Sequence, residues 1–352
     1  MAQYGVGLVG CGGISTVHFR AIQQVERARL VATCDVIEER ARARAEEFGA
    51  DAVYTDYHEL LARDDIDVVH VTTPSSLHHP VSIAASEAGK HSFVTKPIDV
   101  TLESIDAMIA AADEAGVKLV AVHQFRAYDS YRQLKRAIEE GRLGELYYGN
   151  AFVPWWRAQS YYTDHWQGTW EFDGGGALMN QSVHWVDLLV WMMGDVAEVC
   201  GYAATKAHEM ETEDIGTAAV LFTSGAQGLI QGTTLTHQGM NTRLEVHGSR
   251  GNVVIEADRI THWDVEGEES LAEAAVAAET SAADPMSGLG DAVGAHRWQI
   301  EALLDWIEGS GEPFVTGSDA RRAVEVNLAI YASQRTGEKI RLPLDPEEPV
   351  GF

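Results

Sequence analysis

A glycine-rich turn near the start of the chain has the residue types and spacing that suit phosphate binding. The segment Gly10-Cys11-Gly12-Gly13-Ile14-Ser15 follows the apolar run Val6–Val9 and precedes a helical pattern. In GxGxxG turns the first glycine permits a tight bend, the second lets the backbone approach a pyrophosphate, and the third position must be small, as Ser15 is. The N–H groups at the helix start then face the phosphates. We therefore expect cofactor contacts from Gly10, Gly12, Gly13 and Ile14.

An acidic residue, Asp35, follows the second apolar run, at the position where a dinucleotide site has a carboxylate. The next apolar run, Leu30–Cys34, ends at Asp35, about 20 residues beyond the turn. A carboxylate there binds the ribose hydroxyls and repels a 2′-phosphate. The turn and the acid together predict a dinucleotide site that prefers NAD. NADP stays open because Arg40 is close in sequence.

The elements that position these residues alternate over residues 1–122. Strand patterns cover Val6–Val9, Leu30–Cys34, Val53–Thr55, Val68–Thr72, Ser92–Val94 and Leu119–Val122. Helix patterns cover residues 14–26, Glu38–Phe48, a start at Tyr57–Leu61, Pro80–Ala88 and Leu102–Ala115. Continuous apolar strands that alternate with helices predict an α/β fold, a Rossmann domain with a doubly wound parallel sheet.

Residues 123–352 show a different pattern and predict a second, substrate-binding α+β domain with a mostly antiparallel sheet. Strand-like alternation covers Gly216–Phe222, Gly228–Thr236, Thr242–His247 and Asn252–Glu256. Helices are expected over Tyr131–Glu140 and near residues 177–193, 294–309 and 319–336. Residues 266–293 are rich in Ala, Glu and Asp and predict an acidic loop or a loose helix.

Three further segments carry a resemblance to a known family. They are Thr73-Pro74-Ser75-Ser76-Leu77-His78, Thr95-Lys96-Pro97, and Gly174-Gly175-Gly176-Ala177-Leu178-Met179-Asn180, which continues through His184. In this order they resemble the motifs of the glucose–fructose oxidoreductase / inositol dehydrogenase / rhizopine catabolism (Gfo/Idh/MocA) family of NAD(P)-dependent sugar oxidoreductases. The similarity spans nearly the whole chain. It implies a Rossmann domain, a second domain with a large open sheet that often mediates oligomer contacts, and redox chemistry at a sugar or polyol carbon.

Two residues depart from the family pattern. Thr95 stands where the family usually has Glu, and Asn180 replaces the more frequent Asp. Thr95 supplies no negative charge near Lys96, and Asn180 can bind a hydroxyl but cannot act as a base. The division of proton transfer among the site residues is therefore left open.

Lys96, His184 and Asn180 are the expected catalytic residues. Oxidation of a carbinol needs a group that accepts the hydroxyl proton while nicotinamide takes the hydride. A lysine in a dry cleft beside the cationic ring can exchange a proton near neutral pH, and histidine titrates there already. Asn180 and His184 are four residues apart, which places them on one helical face, and the preceding glycines are expected to let substrate approach. Asp187 either orients a ring or forms a salt bridge.

Further residues are expected beside the cofactor. Thr73, Pro74 and His78 follow the third long strand, and the resemblance places His78 near the nicotinamide ribose. Pro97 stiffens the turn that aims Lys96. Gln124 and Arg126 follow the last Rossmann strand and can line the cleft, although a structural ion pair explains Arg126 equally well.

An aromatic segment, residues 153–170, is the expected substrate wall. Sugar rings stack their C–H faces on aromatic rings, while Arg, His and Tyr bind their hydroxyl or acid groups. The expected contacts are Arg157, Tyr162, His165 and Trp166, together with Asn180 and His184. The alternative is that several of these aromatic residues belong to the core or to a subunit interface.

Charge excludes some partners. The chain has 352 residues, 26 Lys+Arg against 53 Asp+Glu, and a formal charge of −27. Such a chain lacks the basic clusters that bind nucleic acid or an anionic membrane. An acidic, Lys-poor surface suits concentrated salt, where charges are screened, although an ordinary acidic enzyme is equally compatible. The negative charge also favours a neutral sugar over a highly phosphorylated one as substrate, unless Arg157 and Arg126 together form a positively charged region at the site.

The remaining expectations concern compartment, assembly and rival functions. Three cysteines without a CxxC motif, a start without a basic region and the lack of an 18-residue apolar run indicate a cytoplasmic protein. We expect no metal and a homo-oligomer, a dimer or tetramer, through the C-terminal sheet. Two rivals to a dehydrogenase stay open. One is transient oxidation by tightly held NAD for elimination, epimerisation or glycoside cleavage, and the other is a non-catalytic NAD-sensing regulator.

Overall fold

The apolar runs of the first third of the chain pair as six parallel strands. The strands are β1 (Tyr4–Val9), β2 (Ala28–Cys34), β3 (Ala52–Tyr54), β4 (Val68–Val71), β5 (His91–Val94) and β6 (Leu119–Ala121). In the computed structural model, which describes residues 3–268, 292–311 and 314–345, their order is β3-β2-β1-β4-β5-β6. All four residues of β4 are buried, as expected for a parallel sheet covered on both faces.

Nine α-helices are assigned in the described residues. They are α1 (Ser15–Gln23), α2 (Glu38–Phe48), α3 (Tyr57–Leu61), α4 (His78–Glu87), α5 (Leu102–Ala115), α6 (Asp129–Glu139), α7 (Val183–Met193), α8 (Ala292–Ile307) and α9 (Gly317–Thr336). A π-helical turn, Ala177–Ser182, leads directly into α7. None of the helices in the described ranges is long and apolar enough to cross a lipid bilayer.

The chain divides into two compact units whose boundary differs from the expected one at residue 122. The first unit comprises Met1–Gln124 and Asp291–Arg321, and the second comprises Phe125–Gly290 and Arg322–Phe352. The difference comes from α8, whose Ile300, Leu303 and Leu304 are buried in the same apolar cluster as Phe19 of α1. This helix belongs to the first unit because its apolar face completes that core.

The second unit contains an eight-stranded sheet. Its strands are β7 (Leu146–Pro154), β8 (Val196–Ala204), β9 (Ile215–Phe222), β10 (Gln227–Thr233), β11 (Arg243–Gly248), β12 (Gly251–Glu256), β13 (Arg259–Val265) and β14 (Ile340–Arg341). The order is β13-β12-β11-β7-β10-β9-β8-β14, and every pair is antiparallel except β10 with β7. The predicted open, mostly antiparallel sheet is confirmed.

The two faces of this sheet differ. Helix α7 packs on one face, where a Cβ at Gly149 would lie 2.7 Å from Met193 Sδ. Apolar side chains lie exposed on the strands, among them Tyr202 at 73% and Leu229 at 48% of their surface. The first face is therefore core, and the exposed apolar residues mark a candidate interface.

Most predicted elements are found within a few residues of their expected bounds. The ranges of α2 and α5 are those predicted, because each ends at a glycine that breaks the helix, Gly49 and Gly116. Strands β7, β8 and β13 were not predicted from the sequence. The predicted acidic loop lies largely outside the described residues.

Candidate active site

The backbone at Gly10, directly after β1, has a conformation that glycine adopts readily and other residues do not. Its φ is +98°, and a Cβ built there would lie 2.6–2.7 Å from main-chain atoms of Thr72 and Thr73. The N–H of Gly10 donates to the carbonyl of Cys34 at 2.8 Å, which ties the turn to the end of β2. The tight bend predicted from the motif is present.

Asp35 fastens this turn from the end of β2. Its Oδ2 accepts the N–H of Cys11 at 2.7 Å, and its Oδ1 accepts the N–H of Ile37 at 2.9 Å. The carboxylate is 9% exposed. Each oxygen keeps a further lone pair, so the group both shapes the turn and fits the role of an acceptor for ribose hydroxyls.

The middle of the turn is open. A Cβ at Gly12 or at Gly13 would meet no atom within 4 Å. Ser15 is buried and its Oγ donates to the carbonyl of Gly12 at 2.6 Å, which closes the turn onto α1. Ile14, at the N-cap of α1, is 40% exposed. Main-chain N–H groups at a helix start with no side chain in front of them fit a pyrophosphate.

His78 holds two loops of the first unit together. It is fully buried, its Nε2 lies 3.0 Å from the carbonyl oxygen of Thr73, and its Nδ1 lies 3.0 Å and 3.2 Å from those of Pro97 and Ile98. Burial lowers its pKa. With both ring nitrogens directed at backbone carbonyls, the side chain joins the β4 loop to the segment after Lys96. This differs from the expected cofactor contact, because the ring is enclosed.

Lys96 and Gln124 follow β5 and β6 at the carboxyl edge of the parallel sheet. The N–H of Thr95 donates to Val71 at 3.0 Å, so the segment continues the strand pairing up to Lys96. Lys96 is half-buried and Pro97 is buried. Gln124 is 9% exposed and begins a 3-10 turn, Gln124–Ala127. Thr73 and Pro74 follow β4 at the same edge, where ligands of such folds bind.

In the second unit, the three consecutive glycines allow close packing within the protein. A Cβ at Gly175 would lie 2.2 Å from the hydroxyl oxygen of Tyr331, and one at Gly176 would lie 2.1 Å from the carbonyl oxygen of Glu213. The expectation that they open the helix start to substrate is therefore corrected, because these two positions face protein atoms.

Asn180 lies in the π-helical turn with its amide held from both ends. It is 7% exposed, its Nδ2 donates to Asp173, and its Oδ1 accepts from Gln181 Nε2 at 3.0 Å. Asp173 is itself buried and accepts the N–H of Gly168 at 2.9 Å. The amide orientation is thus fixed, as an orienting donor requires. π-helical turns are frequent at functional sites.

His184 and Asp187 both lie on α7 and are buried, but they have different surroundings. The imidazole of His184 meets Phe125 edge-on, with ring centroids 5.0 Å apart. Asp187 accepts two hydrogen bonds from Arg126, at 2.8 Å and 2.6 Å. Asp187 was expected to orient a ring or to form a salt bridge, and Arg126 to line the cleft or to form an ion pair. The structure shows that they form an ion pair with each other.

The guanidinium of Arg157 lies close to two aromatic rings. Its Cζ lies 5.1 Å from the ring centroid of Trp155 and 5.3 Å from that of Tyr161. Its Nη2 donates to Gln181 Oε1 at 2.7 Å, and Gln181 Nε2 donates to the Tyr161 hydroxyl at 3.1 Å. Because Gln181 also donates to Asn180, hydrogen bonds connect Arg157 to the predicted catalytic amide.

A cavity of about 440 Å³ adjoins this arginine. Its lining residues are Trp156, Arg157, Ala158, Ser160, Tyr161, His165 and Gln167. Of the expected contacts, Arg157 and His165 lie here together. Trp166 is half-buried and is not among the lining residues. Tyr162 is 7% exposed and donates its hydroxyl to Thr234 Oγ1 at 3.1 Å, so it differs from the expected contact because it packs in the interior.

Comparison with known proteins agrees with this architecture. Residues 4–123 match the family model described as an oxidoreductase family with an NAD-binding Rossmann fold, and residues 131–254 match that of the GFO/IDH/MocA C-terminal domain. The WlbA dehydrogenase of Bordetella pertussis, solved with NADH and UDP-GlcNAcA, is 35% identical with a TM-score of 0.86, over 97% of this chain and 100% of that chain. The chain belongs to the Gfo/Idh/MocA family.

Other Gfo/Idh/MocA proteins resemble it along much of its length. A myo-inositol 2-dehydrogenase of Thermotoga maritima is 30% identical over 73% of this chain and 76% of its own. A 1,5-anhydro-D-fructose reductase of Ensifer adhaerens is 29% identical over 94% of this chain and 96% of its own. The resemblance, the fold, the NAD cofactor and the class of sugar and polyol oxidoreductase are confirmed.

Several residues around the candidate site were not predicted from the sequence. Asp173 and Gln181 hold Asn180. Asp173 immediately precedes the glycine motif, and Gln181 lies within the motif segment but was assigned no role. Glu213, which packs on the glycines, has no motif of its own. Within the described ranges, no group of three or more His, Cys, Asp or Glu is arranged to hold a metal ion.

Proposed function

We propose that this chain oxidises a secondary or anomeric hydroxyl of a sugar, a sugar derivative or a polyol, with NAD⁺ as the hydride acceptor. The observation that carries the proposal is the open glycine turn fastened by Asp35, in a chain that also has the family's Lys96 and His184 motifs. The bound dinucleotide supplies the hydride acceptor. Gly12 and Gly13 would hold its phosphates through main-chain N–H groups, Asp35 would accept from its ribose hydroxyls, and Gly10 would keep the turn tight enough for both.

We assign the handling of the hydroxyl proton to Lys96 and His184. General acid–base groups of this kind contribute about 10²- to 10⁴-fold in rate. Asn180 orients the reacting hydroxyl, because its amide is already fixed by Asp173 and Gln181. An asparagine cannot replace an aspartate as base, so proton transfer depends on the lysine and the histidine.

The substrate we favour carries an acidic group. The described lining of the 440 Å³ cavity contains Arg157 and no carboxylate, although the chain has 53 acidic residues. Arg126 is engaged with Asp187, so the positive charge at the cavity is that of Arg157. A guanidinium close to two aromatic rings is restrained in its motion, and guanidinium groups bind carboxylate or phosphate with two parallel hydrogen bonds. The similar WlbA dehydrogenase has UDP-GlcNAcA bound, which supports a nucleotide-linked sugar acid as the first candidate.

A substrate panel tests this assignment. NADH formation would be followed with UDP-GlcNAcA, UDP-GlcNAc and myo-inositol, with NAD⁺ and NADP⁺, at low and high KCl because the acidic surface predicts salt tolerance. We expect UDP-GlcNAcA to be the best of the three. Arg157→Gln should raise its KM about tenfold or more, whereas Arg157→Lys should have a smaller effect. Two results together would contradict the acidic substrate. They are faster turnover of myo-inositol than of UDP-GlcNAcA, and a KM for UDP-GlcNAcA that Arg157→Gln leaves unchanged.

We propose further that the exposed face of the second sheet joins two or more copies of the chain. Apolar side chains exposed on neighbouring strands are Tyr148, Tyr202, Leu221 and Leu229. Contiguous apolar patches on a sheet mark interfaces between proteins. Light scattering after gel filtration should give a dimer or a tetramer. Leu229→Asp should lower the mass, whereas Met240→Asp, a change at an apolar residue exposed outside the strands, should leave it unchanged.

A further inference from the structure

Glu213 is a buried carboxylate that the proposed proton transfer does not use. It lies two residues before β9 and is 2% exposed. Its Oε1 accepts the N–H of Leu178 at 2.7 Å and the hydroxyl of Tyr331 at 2.9 Å. Both carboxylate oxygens lie within 3.1 Å of the N–H nitrogen of Gly176. These two N–H groups and the hydroxyl all donate to the carboxylate, an arrangement that suits its ionised form.

These N–H groups belong to the start of the π-helical turn Ala177–Ser182. The first N–H groups of a helix have no acceptor within the helix and need one from outside. The carbonyl oxygen of Glu213 also accepts the N–H of Ala177 at 2.9 Å. Three successive N–H groups, those of Gly176, Ala177 and Leu178, therefore depend on one residue.

The fit around Glu213 is close. A side chain at Gly176 would collide with its carbonyl oxygen, and one at Gly175 would collide with the Tyr331 hydroxyl. The same turn continues to Asn180, whose N–H donates to the carbonyl of Gly176 at 3.0 Å, and then into α7 with His184. A shift of Glu213 would move the backbone that carries both side chains.

The charge of Glu213 responds to pH near neutrality. Burial raises its pKa to about 7, opposed by the N–H groups of Leu178 and Gly176 and by the Tyr331 hydroxyl. Tyr331 is a titratable group in direct contact with Glu213. Burial raises the pKa of Tyr331, and the charge of Asp173 lies near its hydroxyl. Below the pKa, the oxygen that carries the proton becomes a donor and accepts hydrogen bonds from N–H groups less strongly.

We infer that Glu213 is a positioning residue, whose carboxylate fixes the π-helical turn and thereby sets the place of Asn180 and His184. The inference deepens the proposed function and rests on it for its effect on catalysis. Its effect on the backbone can be measured whether or not the substrate is known. A misplacement of about 1 Å costs up to about a hundredfold in rate, so the carboxylate controls turnover without touching substrate.

The test compares Glu213→Gln with Glu209→Gln, a matched change at an exposed glutamate, and with Tyr331→Phe. Glu213→Gln should lower kcat about ten- to a hundredfold with little change in the KM of the sugar, and Tyr331→Phe should lower it less. NADH affinity, measured by fluorescence, should stay the same because its contacts belong to the first unit. In the unmodified protein, ionisation of Glu213 should add to the rise of kcat as pH increases through about 7. Glu213→Gln should lose that part of the rise and keep the part that comes from Lys96 and His184.

Hydrogen exchange separates this inference from the proposed function. Residues 174–184 should exchange their amide hydrogens faster in Glu213→Gln than in Glu209→Gln, with the rest of the chain unchanged. If no sugar reacts in any variant, the proposed function fails while the exchange result still tests the positioning role. A folded Glu213→Gln protein with unchanged exchange in this segment, or with kcat within twofold, would overturn the inference.

Discussion

Arg126 donates two hydrogen bonds to Asp187, from Nε at 2.8 Å and from Nη2 at 2.6 Å, and both side chains are at least 97% buried. Asp187 lies one turn beyond His184 on α7. The guanidinium also lies 5.1 Å from the ring centroid of Trp191 on the same helix. This ion pair fixes α7, and with it His184, from the 3-10 turn Gln124–Ala127.

Removing one partner of this pair should be costly. Arg126→Met leaves the Asp187 carboxylate buried without its cation, and we expect the free energy of unfolding in urea to fall by about 3–5 kcal/mol. The double variant Arg126→Met with Asp187→Leu should regain much of that loss. Arg42→Met, which breaks an exposed pair with Glu38 on α2, should cost under about 1 kcal/mol. Equal losses for Arg126→Met and Arg42→Met would contradict this view.

The close contact between Gly10 and the main chain of Thr72 and Thr73 should affect cofactor binding more than the positive φ of Gly10 does. Gly10→Ala places a methyl group within 2.7 Å of main-chain atoms, whereas Gly49→Ala, also at positive φ, meets no atom within 4 Å. Gly49→Ala should lose about 1 kcal/mol of stability from backbone strain, and Gly10→Ala should lose more because its methyl group also collides with the main chain. Only Gly10→Ala should weaken NADH binding, by about tenfold or more. The measurement is a fluorescence titration with NADH, and similar affinities in the two variants would refute the role of the turn.

Three buried histidines should make the first unit sensitive to acid. His18 Nδ1 lies 3.1 Å from His70 Nδ1, and the rings of His18 and His296 are 4.9 Å apart. Burial lowers the pKa of His70 to about 3 and that of His296 to about 4. Because the unfolded chain binds these protons near pH 6.5 and the folded chain does not, stability falls as pH drops from about 6.5 towards 4.

Unfolding measured in urea at several pH values tests this. The slope should approach about 1.4 kcal/mol per pH unit for each such histidine. His296→Leu should reduce the slope, whereas His58→Leu, at an exposed imidazole on α3, should not. The same slope in all three proteins would show that the buried imidazoles do not set the acid response.

The cofactor half of the site was predictable because its information is local. The glycine turn, its small third position and Asp35 are defined by spacing along the chain, and the structure joins them through the Cys11 N–H. Helix α2 was predicted for the same reason, since a glycine ends it. The carboxyl edge of the parallel sheet then follows from strand order.

The substrate half was less predictable because burial and long-range packing decide it. Tyr162 and His78 have the right residue types for ligand contacts, but the fold encloses both. Glu213 is 37 residues from Gly176, and no periodicity in the sequence connects them. Likewise α8 completes the first core through an apolar face whose partner cannot be read from its own sequence.

The central claim, net oxidation of a sugar by NAD⁺ with Lys96 and His184 handling the proton, is tested most directly by one measurement. Free NADH and oxidised sugar would be quantified together during turnover by the unmodified protein, Lys96→Ala and His184→Ala. We predict one NADH per product in the unmodified protein, and a kcat at least about a hundredfold lower in each variant. Sugar conversion without net NADH, or full activity in both variants, would contradict the account.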